Sequence, residues 1–593
     1  MPAASSSVPR PRVLSRTRLA GLSATLAVGL ASALAGCGSS SPAGTSADPA
    51  SVVPSTAALY AGATVRPSGA QATAALAAGK ALTHEADPYL RLLATLQTPG
   101  APQLNYTKEV APWLGPHAGI FLTSLTGSSS TLLSLVKQGL LGGTASSAFP
   151  FGSGAAQGAI VLDTSNLSKA RSFVQGLAQH AGAHSTSYRG VAYESNSAGV
   201  AFGVVKRFAV IGSEAGMHGV IETTGGAGSL ERSSGYTKLL AAAPSSALAH
   251  VYTSPASSAA QSTGAEASSG LLSLLAGSRE ANISLIPAAG SSASGAGSVA
   301  GNSLTIDADT LASASAGGGS GGLLAADPEG AKALSELPGG SWLAIGLGHL
   351  GTTIDQDVQG LQSLTSLAST LGGAGPESTA GLSLNGLLQG LLAPLGVLGA
   401  DTPAAKKAFA SWMGSGGVFA SGASLLELKG AVVISSKDPA LSRAAVQELS
   451  AQLRKAGGSV STARIAGTEA AAAARLEGLP VVLDIAAGRN ASGQPKFVIG
   501  IGEASVQAAL DPPSTMAQSA PSEAAESALG EGAQPSMILD LPTLLSLLEG
   551  VGLTESPSIS KFIPYLRSVT TLAGGGHSLG NEVERFKLVL GLQ

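Results

Sequence analysis

Short apolar runs alternate along the chain with longer stretches of helical spacing. The runs GAIVLD at 158–163 and GAVVIS at 430–435 are rich in β-branched residues, which predicts buried strands. Each is followed by a stretch whose apolar residues recur at helical spacing, at 166–181 and at 439–456, and which stops at a glycine. The same strand–helix pair is therefore predicted once in each half of the chain.

Further phrases repeat in the same order in the two halves. PWLGPHAGIF, from Pro112, resembles SWMGSGGVF, from Ser411, and KRFAVIGSEA resembles PKFVIGIGEA. Each half closes with alternating apolar and polar residues, the pattern of a strand with one buried face. This preserved order predicts an internal duplication, with modules at 52–315 and 330–593 joined by a Gly/Ser/Ala-rich linker at 316–329.

The two tryptophan phrases carry the same residue types at the same places. A tryptophan and a glycine followed by Gly-Ile/Val-Phe predict a buried aromatic, a tight turn and a strand that enters a sheet. The turn is expected to be one residue shorter in the second copy. This pattern favours a repeated structural anchor over a repeated catalytic site. The predicted anchors are Trp113, Gly115, Phe121, Trp412, Gly414 and Phe419.

These patterns together predict an α+β fold. We expect two homologous tandem modules, each a mostly antiparallel sheet packed with amphipathic helices. Periodicity gives the faces of the strands but not their order in the sheet.

The N-terminal segment has the features of an export signal. Arginines precede an apolar run at 19–34, which ends in Leu-Ala-Gly-Cys at the single cysteine, Cys37. This ending resembles the bacterial lipobox, in which the thiol is acylated and the cysteine becomes the mature N-terminus. It predicts a signal peptide at 1–36, a lipidated Cys37, a flexible tether at 37–51 and a location on the extracytoplasmic face of the cell membrane. An ordinary signal peptide with a chance cysteine is the alternative.

Composition narrows the classes of partner. Charged residues make up 12% of the chain, the net charge is −3, and the 33 basic residues are scattered. Because nucleic-acid binding needs clustered positive charge, no nucleic-acid partner is predicted. The oligomeric state is left open.

The motifs that could carry chemistry are weak. GLGHLG at 346–351 has the form of a dinucleotide fingerprint, but no acidic residue ends a second strand at the required distance. His180 and His184 lack a third ligand, and metal sites usually need three. Glu214 and Glu503 recur after matching strands and are expected to hold backbone amides there. No catalytic residue, metal or cofactor is predicted.

The uncharged segment at 382–400 is near the length of a membrane span. Its polar residues, proline and glycines favour a buried or half-buried helix instead, with a lipid-contacting surface as the alternative.

The chain resembles a known family in several of these phrases. The lipobox, the Pro-x-x-Ala-x-x-Tyr opening at 54–60, KEVAPWLGPHAGIFL at 108–122, LPGGSWLAIGL and WMGSGGVF are similar to the domain of unknown function 3352 family of exported, mainly actinobacterial proteins. The resemblance covers nearly the whole mature chain. It implies location and architecture, and it supplies no activity and no catalytic residue.

Three functions remain open at this point. The first is a non-enzymatic, lipid-anchored binding or scaffold protein of the cell envelope, with an envelope lipid or protein as partner. The second is a carrier of an apolar ligand or lipid in a cavity between sheet and helices, lined by 382–400 and 130–142. The third is an envelope hydrolase, for which no catalytic constellation is visible.

Overall fold

The computed structural model describes many separate parts of the chain. They are 46–84, 106–123, 151, 157–254, 280–289, 302–311, 328–348, 350–351, 410–424, 426–455, 457–476, 481–530, 532–550, 554, 560, 563–580 and 582–593. The predicted signal peptide, Cys37, most of the predicted linker, and the segments at 130–142 and 382–400 lie outside these residues.

The elements are numbered in chain order. The strands are β1 (Leu59–Thr64), β2 (Leu114–Leu122), β3 (Gly158–Thr164), β4 (His184–Tyr188), β5 (Val191–Ser195), β6 (Val200–Val205), β7 (Phe208–Ser213), β8 (Ala249–Thr253), β9 (Ala281–Ala288), β10 (Asn302–Leu311), β11 (Ser341–Leu347), β12 (Met413–Ser421), β13 (Lys429–Ser436), β14 (Ser459–Thr462), β15 (Thr468–Arg475), β16 (Val482–Arg489), β17 (Pro495–Ile501), β18 (Gln534–Asp540), β19 (Val569–Gly580) and β20 (Val583–Leu592). The α-helices are α1 (Gly69–Thr83), α2 (Leu167–His180), α3 (Glu214–Thr224), α4 (Ser234–Ala242), α5 (Pro328–Ser335), α6 (Pro439–Lys455), α7 (Glu503–Leu510), α8 (Ala520–Leu529), α9 (Leu541–Gly550) and α10 (Ile563–Arg567).

The chain divides into two compact units. Unit 1 comprises Met1–Arg66 and Tyr89–Arg232, and unit 2 comprises Pro67–Pro88 and Ser233–Gln593. In unit 1 the strand order is β4-β5-β6-β7-β3-β2-β1. In unit 2 it is β8-β9-β10-β20-β19-β18-β11-β12-β13-β17-β16-β15-β14. Both orders consist of antiparallel pairs, which confirms the α+β class with an antiparallel sheet.

One order of strands occurs in both units. The path β1-β2-β3-β7-β6-β5-β4 of unit 1 has the same form as β11-β12-β13-β17-β16-β15-β14 of unit 2. In each, the helix that follows the third strand, α2 or α6, leads into the outermost hairpin. The strands at 158–163 and 430–435 and the helices at 166–181 and 439–456 are confirmed within two residues at each end.

Local sequence explains the ends of these two helices. Asn166 Oδ1 accepts from the Lys169 amide at 3.1 Å, and Asp438 Oδ1 accepts from the Ala440 amide at 2.8 Å. Each side chain satisfies a backbone donor that the first turn leaves open. Glycines at 182 and 457, with φ of +66° and +90°, follow the last turns.

The sheet of unit 2 is buried on both faces along β13. Along β13, Val432 and Ile434 belong to one apolar cluster with α6, whereas Ala431 and Val433 belong to another with α5, α7 and α8. Because helices cover both faces, β13 is a continuous apolar run instead of an alternating one. Among the described residues, no helix has both the length and the apolar content needed to cross a bilayer.

The two tryptophan phrases do not form the expected turns. Residues 114–122 and 413–421 are already strand. The register against the neighbouring strand slips between Leu114 and Ala118, and between Met413 and Gly416. Counted against the partner strands, the first slip inserts one more residue than the second. The expected difference in length is therefore accommodated by β-bulges, which insert residues without leaving the sheet.

Candidate functional site

The predicted anchors lie in the cores of the two units. Trp113 and Trp412 are 1% and 2% exposed, and each ring packs on a phenylalanine at 5.1 Å between centroids, Phe173 and Phe497 respectively. Phe121 is also fully buried. These contacts are packing contacts within the cores.

The two anchor glycines permit close approach to the next strand. A Cβ on Gly115 would lie 2.6 Å from Asp163 Cγ, and one on Gly414 would lie 3.1 Å from the Ser435 carbonyl oxygen. Phe419 is fully buried like its counterpart in unit 1. All six predicted anchor residues therefore lie at buried positions.

The other sequence motifs also have structural explanations. Gly346 of the dinucleotide-like phrase lies against α5, where a Cβ would come within 2.7 Å of the Leu334 amide nitrogen. Glu214 and Glu503 are the first residues of α3 and α7, where the helix dipole favours a carboxylate. The side chain that accepts from the first turn of α3 is Ser213, whose Oγ lies 3.0 Å from the Gly216 amide. In α3 the side chain that holds a first-turn amide is therefore that of Ser213, and Glu214 and Glu503 occupy the first positions of their helices.

No metal centre is visible in the described ranges, where three or more His, Cys, Asp or Glu side chains do not come together. His180 instead contacts the Gly176 carbonyl oxygen through Nδ1 at 2.6 Å, and His184 begins β4.

One cavity lined by described residues lies in unit 2, on the face covered by α5 and α7. Its volume is about 210 Å³. Polar side chains from three elements line it, together with an apolar wall. The lining residues include the polar Glu336, Ser435, Gln494 and Lys496 and the apolar Val433 and Leu510.

One of the groups that line this cavity is a buried ammonium group. Lys496 is 5% exposed, and its Nζ donates to Glu336 Oε2 at 2.6 Å and to Ser435 Oγ at 2.9 Å. Ser435 and Lys496 are direct cross-strand partners in the β13–β17 ladder, so their side chains lie on the same face. The Glu336 side chain is 32% exposed. The cation is thus inside and its counter-ion is at the mouth.

The loop between β16 and β17 forms one wall of the cavity. Asn490 Oδ1 accepts from the Gln494 amide at 2.8 Å, and the Asn490 amide donates to the Gln494 carbonyl at 3.0 Å. The Ala491 amide donates to the carbonyl of Leu510, at the end of α7, at 3.3 Å. Side-chain and backbone bonds therefore fix the loop before any ligand binds.

Unit 1 has a different arrangement at the matching place. The residue paired with the start of β7 is Asp163, where unit 2 has Ser435, and the strand begins with Phe208 where unit 2 has Lys496. Asp163 is fully buried and accepts from Arg207 Nε at 2.8 Å. Burial raises the pKa of Asp163, and the nearby Arg207 opposes that shift.

The sequence analysis missed the cavity. The loop that forms its wall is 490–494, between β16 and β17. In unit 1 only Lys206 and Arg207 separate β6 from β7. The signal that could have shown the site is a lysine inside a strand that is otherwise apolar, Lys496 in PKFVIGI.

A second polar cluster lies in the middle of the unit 2 sheet, on β10 and β20. Arg585 donates through Nε and Nη2 to the two carboxylate oxygens of Asp309 at 2.6 and 2.9 Å, and its Nη1 lies 3.3 Å from Asp307 Oδ2. Arg585 Nη2 also donates to the carbonyl of Ala242, the last residue of α4, at 2.7 Å. This cluster is closed by protein groups, and we interpret it as structural.

Comparison with known protein families shows to which family the chain belongs. A family model described as a protein of unknown function, DUF3352, matches residues 19–590. The chain belongs to the DUF3352 family. The match covers nearly the whole chain, as the lipobox and tryptophan phrases implied. Searches of curated proteins and of solved structures found no match.

Proposed function

We propose that the chain is a lipid-anchored, extracytoplasmic binding protein, and that the cavity at Lys496 is its ligand site. The observation that carries the binding role is the buried ammonium of Lys496 in a preformed cavity. Concave sites with a few fixed polar groups and an apolar wall are typical of small-molecule binding. The anchor rests on the lipobox resemblance at Cys37, through which we expect a diacylglyceryl group to hold the chain on the membrane.

The geometry favours binding over hydrolysis. Ser435 and Lys496 lie within hydrogen-bond distance, which is the spacing of a nucleophile and its base. However, the ammonium of Lys496 donates to the carboxylate of Glu336. An ammonium held in this way has no lone pair to accept a proton from Ser435. We therefore assign the pair to ligand recognition, and no enzymatic activity is part of the proposal.

The size of the cavity favours a small polar ligand. Pockets for drug-sized ligands have volumes of about 300 to 1,000 Å³, and this one has about 210 Å³. The apolar-carrier hypothesis depends on the segments at 130–142 and 382–400, which lie outside the described residues.

We also propose that the chain arose by duplication and that its second half acquired the site. The repeated order of strands and the buried tryptophan that precedes β2 and β12 support a common origin. The cavity residues Glu336, Ser435 and Lys496 belong to the second half.

The anchor and the binding role are tested separately. Cells that express the full chain are fed radiolabelled palmitate, and the wild type is expected to be labelled and to fractionate with membranes, whereas Cys37→Ala is not. Native mass spectrometry of the full chain after incubation with envelope extract is expected to show a small added mass that Lys496→Met lacks. An unlabelled wild type would refute the anchor, and no added mass would refute the binding role.

A further inference from the structure

We infer that the cavity at Lys496 takes a small monocarboxylate, and that Glu336 occupies the carboxylate subsite until the ligand replaces it. This inference rests on the proposed binding function and names the chemical class of its ligand.

In this structure the Glu336 carboxylate occupies the position that we assign to the ligand carboxylate. Glu336 Oε2 lies 2.6 Å from Lys496 Nζ, a distance typical of a charge-assisted hydrogen bond. Glu336 comes from the segment directly after α5, and its side chain is 32% exposed. Lys496 is held in a strand and its side chain is 6% exposed. The anion can therefore move into water, whereas the cation cannot.

A ligand carboxylate would find two donors in place. An ammonium has three N–H donors, and two of those of Lys496 are used by Glu336 and Ser435. The Ser435 hydroxyl accepts from Lys496, so its own hydrogen is available to an incoming oxygen. Replacement of Glu336 by a ligand carboxylate keeps the buried charge paired, which avoids the large cost of an isolated buried cation.

The charge of the site favours one negative charge over two. Lys496 is the one cation among the residues that line the cavity, and its ion pair with Glu336 is neutral. A monocarboxylate restores that balance, whereas a phosphate dianion leaves one charge unpaired in a partly buried site. The side-chain amide of Gln494 offers hydrogen bonds to the body of the ligand, and Val433 and Leu510 offer an apolar surface.

The matching place in unit 1 shows what the second half changed. There the fully buried Asp163 stands where unit 2 has Ser435, and it pairs with Arg207, whose side chain is 29% exposed. In unit 2 a hydroxyl stands in place of that carboxylate, and the counter-ion of the buried Lys496 comes from the half-buried Glu336. The exchange moves the buried charge from the anion to the cation, so that the anion becomes the partner that solvent reaches.

The test uses the full chain in detergent micelles and isothermal titration at constant ionic strength. The probes are acetate, lactate and glutarate, with acetamide and inorganic phosphate for comparison. We expect the monocarboxylates to bind and acetamide not to bind. Glu336→Gln is expected to bind acetate and lactate at least tenfold more tightly, because the internal competitor is gone. Ser435→Ala is expected to bind them several-fold more weakly.

Glu582→Gln is the matched control, because it breaks an ion pair of similar length, 2.7 Å to Lys238, on the exposed surface of the same unit. It is expected to leave carboxylate binding unchanged. Lys496→Met should abolish binding, and Glu336→Gln and Ser435→Ala decide the question if that variant does not fold.

Tighter binding of phosphate or of glutarate than of acetate and lactate would overturn the inference, and so would an equal gain in Glu582→Gln. Absence of carboxylate binding, together with an uncharged added mass from envelope extract, would overturn the carboxylate class and leave the proposed binding function standing.

Discussion

Neutralising each of the two carboxylates around Arg585 is expected to change the stability of unit 2 in opposite directions. Asp309 is fully buried and accepts two hydrogen bonds from Arg585, at 2.6 and 2.9 Å. Asp307 is 1% exposed, lies 3.3 Å from Arg585 through Oδ2, and has no hydrogen-bond partner at Oδ1. Both carboxylate oxygens of Asp309 thus have a hydrogen-bond donor, whereas only one oxygen of Asp307 lies close to Arg585.

Asp309→Asn removes the main counter-charge of a buried guanidinium. Breaking a buried pair on one side costs about 3 to 5 kcal/mol. We expect the low end, about 3 kcal/mol, because Asp307 remains close to Arg585. With an unfolding entropy of about 2.1 cal/mol/K per residue, a unit of this size shifts by about 1.2 °C per kcal/mol, so the loss corresponds to a fall of about 4 °C in the melting temperature of unit 2.

Asp307→Asn is expected to change stability by less than about 1 kcal/mol at pH 7, in the stabilising direction. Burial raises the pKa of Asp307, and Arg585 and Lys587 oppose that shift. Since the folded state binds this proton more tightly than the unfolded state, wild-type stability from this group falls as the pH rises above its ordinary pKa. The advantage of Asp307→Asn should therefore shrink as the pH is lowered from 7 to about 4.

The assay is guanidinium denaturation of the full chain in a Trp113→Phe background. Fluorescence then reports Trp342 and Trp412, which are both buried in unit 2. Equal losses in the two variants would refute the unequal roles of the carboxylates. An advantage of Asp307→Asn that does not shrink at low pH would refute the argument from burial.

Four further substitutions test packing and capping. Gly115→Ala forces a Cβ against the buried Asp163 and should destabilise the protein by about 2 to 3 kcal/mol. Gly414→Ala, whose nearest contact would be 3.1 Å, should destabilise it by about 1 kcal/mol. Chemical denaturation measures both losses, and equal losses would contradict the argument that Gly115 is the more tightly packed. Ser213→Ala removes a buried hydroxyl that accepts from the β3 amide of residue 158 at 3.1 Å and from the first turn of α3, and a loss of about 2 kcal/mol is expected in unit 1. Asp438→Ala should cost about 1 kcal/mol and speed amide exchange in the first turn of α6, and unchanged exchange there would argue against the cap.

Local signals explain why α2 and α6 could be predicted and the cavity could not. Asp438-Pro439 and the glycine at 457 act within a few residues, so the sequence alone specifies where α6 begins and ends. The cavity joins Glu336 to Lys496, which are 160 residues apart in the chain. Their meeting depends on the order of strands, and periodicity carries no information about that order.

The tryptophan phrases show a second limit. Burial of Trp113 and Trp412 follows from their apolar context, but the glycines beside them suggested a turn. The glycines are needed instead because neighbouring strands come close at a bulge. Glycine in a sequence indicates a special backbone or a close contact, and only the structure decides between them.

The pairing of β10 with β20 has a consequence for the way unit 2 folds. It aligns Asn302 with Leu592, so a ladder in the middle of the sheet joins segments separated by nearly three hundred residues. During synthesis, the edge of β10 that pairs with β20 has no partner strand until the ribosome has made β20. Open edges of this kind invite aggregation, so a holding chaperone or export in the unfolded state would protect the nascent chain. A chain that lacks β20 should therefore accumulate in inclusion bodies when it is expressed without export.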